Sequence, residues 1–358
     1  MVTIKASVDE LMDGDIIVEQ IFSGNTIISL VVAGTIVNQK IKDKLSNAGV
    51  DEIVVTRAKS NQEGIKSVVE SAKDTHKRKK GEFKEEYRKK VSDFKDIFKS
   101  LLNGEMTDLE KVSKVSDNVF KNVDDIYVAV ESISELKDFD EYTYIHSINV
   151  ALYSMLLANW MNLDKEDIKD LVKAALLHDI GKAKVPDSIL NKPSKFTDEE
   201  LLEMRSHAQH GYDICKDMDG ISDRVKEAIL SHHEKIDGSG YPNGLKNDEI
   251  SLFSKIIAVC DVYDAITSKK VYKDKITPFE TFEEIIEHGY GKLDTEIMLT
   301  FLNNIGNLYI GLDVKLSTGE IGEIMFIPHN KLSQPLIRVG DKFIDLSIEK
   351  NIKIENIV

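Results

Sequence analysis

Five histidines and two aspartates lodged in otherwise apolar helical runs most restrict how this 358-residue chain can fold. Six of its nine histidines, at 146, 178, 207, 210, 232 and 233, fall within one stretch. In AALLHDIGK (174–182) an apolar run carries His178 and Asp179 to the inner end of a helix, where an adjacent imidazole and carboxylate are costly to bury without a partner. Gly181 then breaks the helix and leaves Lys182 close to the same centre. In SHHEKIDGSGYP (231–242) a helix over 223–230 ends on His232 and His233, and a turn-rich loop follows. In IIAVCDVYDAIT (256–267), Asp261 and Asp264 are three apart on an apolar helix and face nearly the same side. His146 lies in YTYIHSINV (142–150), and His207 follows an acidic helix start at 197–200. Singly, each histidine reads as a hydrogen-bonded core or surface residue. Together they would each need a separate buried partner, whereas one metal cluster satisfies them all. Neutral imidazoles suit iron, manganese or zinc better than magnesium. His76, His288 and His329 read as ordinary residues, and His210 as a neighbour of the ligands.

Around this helical stretch the texture changes. Residues 1–60 read as a small β-rich module: DIIVE (15–19), TIISLVV (26–32) and EIVV (52–55) are β-branched runs separated by glycines, and a helix over 38–48 ends at Gly49. Residues 61–136 read as a charged helical connector. Its segment 76–90 (HKRKKGEFKEEYRKK) holds eight Lys or Arg against three Glu, with Glu85–Lys89 and Glu86–Lys90 in the helix-supporting i,i+4 orientation. Val112, Val115, Val119, Val123, Ile126 and Val130 recur at helical spacing, so this part packs on a neighbouring domain or on a second copy of the chain. Residues 137–306 hold the chemistry. Residues 307–358 revert to alternating strands, at 313–316, 320–326, 335–339 and 343–346, an antiparallel appendage.

A net charge of −15 disfavours a nucleic-acid polymer as partner, because phosphate contacts need clustered cations. The basic segment reads as a solvated helix face. The most apolar early run, 27–34, is too short to span a bilayer, and two cysteines, Cys215 and Cys260, fit a reduced, cytoplasmic protein.

These motifs resemble the HD-GYP domain, a subgroup of the HD metal-dependent phosphohydrolases. The resemblance rests on HDIGK at 178–182, His207 followed by Gly211, HHE at 232–234, DGSGYP at 237–242, DVYDAIT at 261–267 and the Tyr-Lys pair at 272–273. It implies a mainly α, helical HD-type bundle around a metal centre, and hydrolysis of cyclic di-GMP to pGpG, GMP or both through a metal-bridging hydroxide. Carried over by position, it implies the metal ligands His146, His178, Asp179, His207, His232, His233 and Asp261, with Asp179 bridging two divalent transition-metal ions, iron or manganese. Lys182 would contact the scissile phosphate and share the catalytic role with Asp179. Gly240, Tyr241 and Pro242 would shape the loop beside the substrate, and Lys270 and Lys273 match the family's basic substrate contacts. Some members hold a third metal on a Glu four residues before the first histidine; Tyr142 stands there, which implies two metals. Position 270 is often Arg in the family, and Lys lacks its bidentate grip on phosphate. Two alternatives stand beside this reading: an HD phosphohydrolase acting on cyclic GMP-AMP or a guanosine polyphosphate, and a catalytically weak nucleotide-binding signalling module. A regulatory partner is not identified by the sequence.

Overall fold

The computed structural model describes residues 2–18, 21–22, 29–31, 37, 41–42, 45–46, 48–57, 62–102, 129–130, 132–133, 142–267 and 277–358. The chain divides into two compact units, Met1–Glu86 with Asp125–Ser132, and Tyr87–Asp124 with Ile133–Val358.

In the first unit, β1 (Val2–Ser7) pairs antiparallel with β5 (Glu52–Arg57), and β2 (Ile16–Ile17) lies on the other edge of β5. A separate pair joins β3 (Ile21–Phe22) to β4 (Ser29–Val31). The alternation of β5 sends Ile53 and Val55 into a core with Ala6, Val8, Leu11, Ile17 and Leu45. Gly49 takes φ +68°, the left-handed conformation its position after the helical turn requires. Asp15 is buried in this unit and is held by the Arg57 fork at 2.8 and 2.6 Å and by the Met12 N–H at 2.8 Å.

The charged connector forms α1 (Gln62–Leu102). From within its basic segment onward, Tyr87, Val91, Phe94, Ile97, Phe98 and Leu101 make a buried stripe at helical spacing, so charge on one face and packing on the other coexist. The expected valine pattern over 112–130 falls outside the described residues except for its last member, Val130, which is buried.

The helical bundle follows. Its centre is α2 (Tyr142–Trp160), apolar around nearly its whole circumference and packed on α3 (Lys165–Leu177), which Asp164 caps by accepting the Asp167 N–H at 2.8 Å. A 3-10 turn (Ile180–Lys184) and the short α4 (Asp187–Leu190) lead to α5 (Asp198–Arg205), α6 (His207–Cys215) and α7 (Asp223–Ser231). Next come α8 (Leu252–Thr267), α9 (Pro278–Gly289) and α10 (Thr295–Asn307). Thr197 and Thr277 start their helices with capping boxes to Glu200 and Glu280. Tyr153, Tyr263 and Phe301 meet edge to face between α2, α8 and α10, each almost wholly buried, where burial of one such ring stabilises by roughly 1.5–3 kcal/mol.

The C-terminal strands β6 (Asp313–Leu316), β7 (Ile321–Phe326), β8 (Leu336–Val339), β9 (Lys342–Asp345) and β10 (Ile354–Ile357) form an antiparallel sheet in the order β10-β6-β7-β8-β9. The last strand was not anticipated: its short run ends the chain and pairs back with β6, a contact that alternation within one segment does not reveal. The mainly α bundle with small β elements at both ends is the architecture the sequence implied. Among the described residues no helix is long and apolar enough to cross a membrane.

Candidate metal centre

The site is assembled from the ends of helices. His178 is the residue on which α3 ends, His232 the one on which α7 ends, and His207 follows α5 across Ser206. Each of the three donates its Nδ1–H to the carbonyl three residues back, Ala175, Ile229 and Met204 respectively, at 2.7 Å. That bond fixes the tautomer and turns the Nε2 lone pair toward the centre of the bundle. His146 reaches the same centre from α2 and donates Nδ1–H to Asp264 at 2.8 Å; Asn149, one turn on, donates to the other oxygen of Asp264 at 2.9 Å.

Close approach depends on glycine. A Cβ on Gly181 would stand 1.9 Å from the His207 carbonyl oxygen and 2.4 Å from the Gly211 nitrogen. Gly181 and Gly211 therefore let the 3-10 turn and α6 touch, which brings His207 level with His178. Gly181 of HDIGK and Gly211 are two sides of one contact.

Two groups of donor atoms result: His146, His178 and Asp179, and His207, His232 and His233, each with ligand atoms within 4.8 Å of one another. Asp179 stands between them. Its Oδ2 lies 3.4 and 3.5 Å from Nε2 of His178 and His146, and its Oδ1 lies 3.5 Å from Nε2 of His207. Asp261 also touches both groups, 3.0 Å from His146 Nε2 and 3.8 Å from His233 Nδ1. All seven candidate ligands thus converge.

Whether a cation fits can be judged from the donors themselves. Nε2 of His178 and Oδ1 of Asp179 are buried with no hydrogen-bond partner. Nε2 of His207 and Nε2 of His232 face one another at 3.3 Å, although both rings carry their proton on Nδ1. Two lone pairs at that distance, beside an unpartnered carboxylate oxygen, are a cost that a shared cation removes. The residues fit divalent transition-metal ions, with a His-rich donor set beside carboxylates.

The electrostatics agree. Burial takes His232 well below the ordinary imidazole range, brings His233 to about 3 and lowers His207, so these rings stay neutral donors. His146 goes the other way, to about 10: burial lowers it, but bonds to Asp261 and Asp264 outweigh burial. Burial raises Asp179, yet Lys182 and His178 hold it well below the carboxylate range; Asp261 is likewise depressed, burial being overcome by His146. Lys182 Nζ lies 2.6 Å from Asp179 Oδ2 on the more open side of the centre. Burial lowers its pKa, but Asp179 raises it further, so it stays an ammonium.

The DGSGYP turn forms one wall. The Tyr241 ring lies 4.7 Å from His233, and the Arg205 guanidinium sits 5.2 Å over the same ring. The Tyr241–Pro242 peptide is cis. A Cβ on Gly240 would stand 2.4 Å from the Glu234 Cα, so this glycine permits the loop to fold back on the helix end. Glu234, buried, accepts the backbone N–H groups of Asn243, Gly244 and Leu245 at 2.7, 3.1 and 2.9 Å. Lys270 and Lys273 lie outside the described residues, as does the side chain of Tyr142. His210 contacts the Ser206 hydroxyl at 3.4 Å, and His329 pairs with Asn303.

Sequence reasoning did not single out Asn149, Arg205 or the anchoring role of Glu234. Only Glu234 carried a signal, as the acidic residue next to the histidine pair.

A helical bundle with two adjoining His/Asp donor groups is the arrangement of an HD-type domain, and residues 133–297 match the family model described as HD domain. HHE and DGSGYP stand within this HD domain, as the HD-GYP resemblance implied. A cyclic di-GMP phosphodiesterase of Pseudomonas aeruginosa, PA4108, is 37% identical over 243 residues, covering 68% of this chain and 58% of the relative. A cyclic di-GMP phosphodiesterase of Thermotoga maritima is 35% identical over 214 residues, covering 58% of each chain. A 3′3′-cGAMP-specific phosphodiesterase of Vibrio cholerae is 39% identical over 145 residues, 40% of this chain and 28% of that protein. The chain therefore spans little more than half the length of such relatives, or less. Among solved structures, Bd1817, a HDG"Y"P protein from Bdellovibrio bacteriovorus, shares the fold with a TM-score of 0.51 at 17% identity, over 85% of this chain and 99% of that one.

Proposed function

We propose that this chain is a metal-dependent phosphodiesterase that opens cyclic di-GMP to pGpG, and on to GMP, in a catalytic domain spanning 137–306. The observation that carries the reading is the convergence of seven His and Asp side chains, with His178 Nε2 and Asp179 Oδ1 unpartnered among them, beside the DGSGYP wall. Relatives that bear the name cyclic di-GMP phosphodiesterase support the substrate class.

His146, His178, His207, His232, His233, Asp179 and Asp261 would hold two divalent ions, iron or manganese, which supply positive charge for a phosphodiester and acidify a water. The protein's own groups do the rest. Lys182 brings an ammonium to the open side of Asp179, where the phosphoryl oxygens gain charge. Tyr241, with the Arg205 cation over its ring and His233 against it, shapes the wall beside the substrate. The low basicity of His232 and His233 keeps them as neutral donors at working pH.

The test is an anaerobic assay of the purified chain with cyclic di-GMP and 3′3′-cGAMP, products resolved by chromatography, alongside elemental analysis. Turnover of cyclic di-GMP that disappears on chelation and in Asp179→Ala supports the reading; turnover that survives both overturns it. Preferential cleavage of 3′3′-cGAMP would move the chain to the activity named for the Vibrio relative. A homodimer through the 61–136 connector and a cytoplasmic location complete the proposal, and light scattering tests the dimer.

A further inference from the structure

His146 is held by more than its own helix. Oδ2 of the fully buried Asp264 accepts from His146 Nδ1 at 2.8 Å, and Oδ1 accepts from Asn149 Nδ2 at 2.9 Å. The Asn149 Oδ1 in turn accepts from the Tyr87 hydroxyl at 2.7 Å, and that hydroxyl lies 3.4 Å from the Ile145 carbonyl oxygen. Every member of the series is buried. The polarity runs one way. A carboxylate only accepts, so His146 and the Asn149 amide both donate to it; the amide orientation is then fixed, and its oxygen faces a hydroxyl that donates. Tyr87 belongs to α1 and lies outside the residues that match the HD domain, 133–297.

We propose that Tyr87 is a positioning residue for the candidate ligand His146, acting through Asn149 and Asp264, so that the seating of α1 on α2 sets the affinity of one half of the centre. In buried networks each link orients the next, and partners behind a ligating histidine typically change metal affinity about 10–100-fold. The affected half is the group of His146, His178 and Asp179; in the other group His207 and His232 take their orientation from backbone carbonyls. A movement of α1 that withdraws the hydroxyl would loosen His146 without touching any ligand. The proposal rests on the metal-centre reading.

The experiment titrates Co2+ into metal-stripped full-length chain, following heat and visible absorption. Tyr87→Phe keeps the ring and removes the hydroxyl; Asn149→Ala removes the next link; Phe94→Leu alters packing on the same helix. The expected result is two Co2+ sites in the unaltered chain, one of them weakened about 10-fold in Tyr87→Phe and at least as much in Asn149→Ala. Phe94→Leu lowers the melting temperature and leaves both constants alone. An unaltered chain that binds no Co2+ removes the metal reading and this proposal with it. Two unchanged sites in Tyr87→Phe overturn the relay alone, as does equal weakening in Tyr87→Phe and Phe94→Leu, which would make packing the cause.

Discussion

Glu234 offers the sharpest test of how the Tyr241 wall is held. Its Oε1 accepts from Asn243 and Gly244, and its Oε2 from Leu245, so one carboxylate closes a loop of three backbone donors. Hydrogen bonds to a charged group are worth about 1.5–3 kcal/mol each, but here two share one oxygen and water reaches the outer face of the loop. Discounting by half, Glu234→Ala should weaken closure of the loop by roughly 2–4 kcal/mol. Glu234→Gln keeps one oxygen for Asn243 and Gly244 but sets its amide against the Leu245 N–H, a loss of about 1.5–3 kcal/mol. Native-state hydrogen exchange reads this directly: at 1.36 kcal/mol per decade, the amides of residues 243–245 should lose about 30- to 1000-fold protection in the alanine variant. The Leu245 amide should suffer most in the glutamine variant. Because the loop carries Tyr241, KM for the proposed dinucleotide substrate should rise with the loss of protection. Wild-type exchange at all three amides in Glu234→Ala would refute the reasoning, whatever the activity.

Other consequences are as direct. Gly181→Ala puts a methyl 1.9 Å from a backbone oxygen of His207, so α6 must move; a loss of at least about 1–3 kcal/mol and of metal at the His207 group follows, read by thermal melting and elemental analysis. Saturating the stripped chain with Mn2+ at 100 times its dissociation constant should add about 2.7 kcal/mol, which for a domain of this size raises the melting temperature by roughly 5–10 °C. No shift would show that these donors do not bind it in the folded state. In the first unit, burial pushes the Asp15 carboxyl up, but Arg57 and the Met12 N–H more than offset this and hold it below its ordinary value. A carboxyl lowered in the fold lends stability above its unfolded pKa of about 3.9 and loses it as pH falls through that value toward the native one. Urea midpoints should therefore drop on acidification below about pH 4, and less so in Asp15→Asn; parallel curves would exclude the linkage.

The convergence of the seven donors was legible because the sequence sets charge into apolar helices, where only a common partner removes the cost of burial. The strand-rich ends were legible from β-branched runs and alternation, apart from β1, β3 and β10. What stayed hidden is long-range. Asn149 reads as a polar residue in a helix, and its partner Asp264 lies 115 residues on. The stripe through Tyr87, Val91, Phe94 and Leu101 is present at helical spacing, yet the surrounding lysines and glutamates dominate the segment. Gly240 looked like a turn former, whereas its close approach to Glu234 is what excludes a side chain. Arg205 carries no local signal at all, since its place over Tyr241 depends on how α5 meets a loop far along the chain.

Two helices end on histidines of the centre, α3 at His178 and α7 at His232, whereas at His207 the end of α5 meets the start of α6 and their terminal charges offset. The aligned peptide dipoles of a helix leave about half a negative charge at its C-terminus. Two such ends therefore supply a main-chain field that favours cations before any side-chain carboxylate is counted. Substitution of a single aspartate removes one ligand and leaves that field in place, so such a variant should still attract divalent ions while holding them in the wrong geometry.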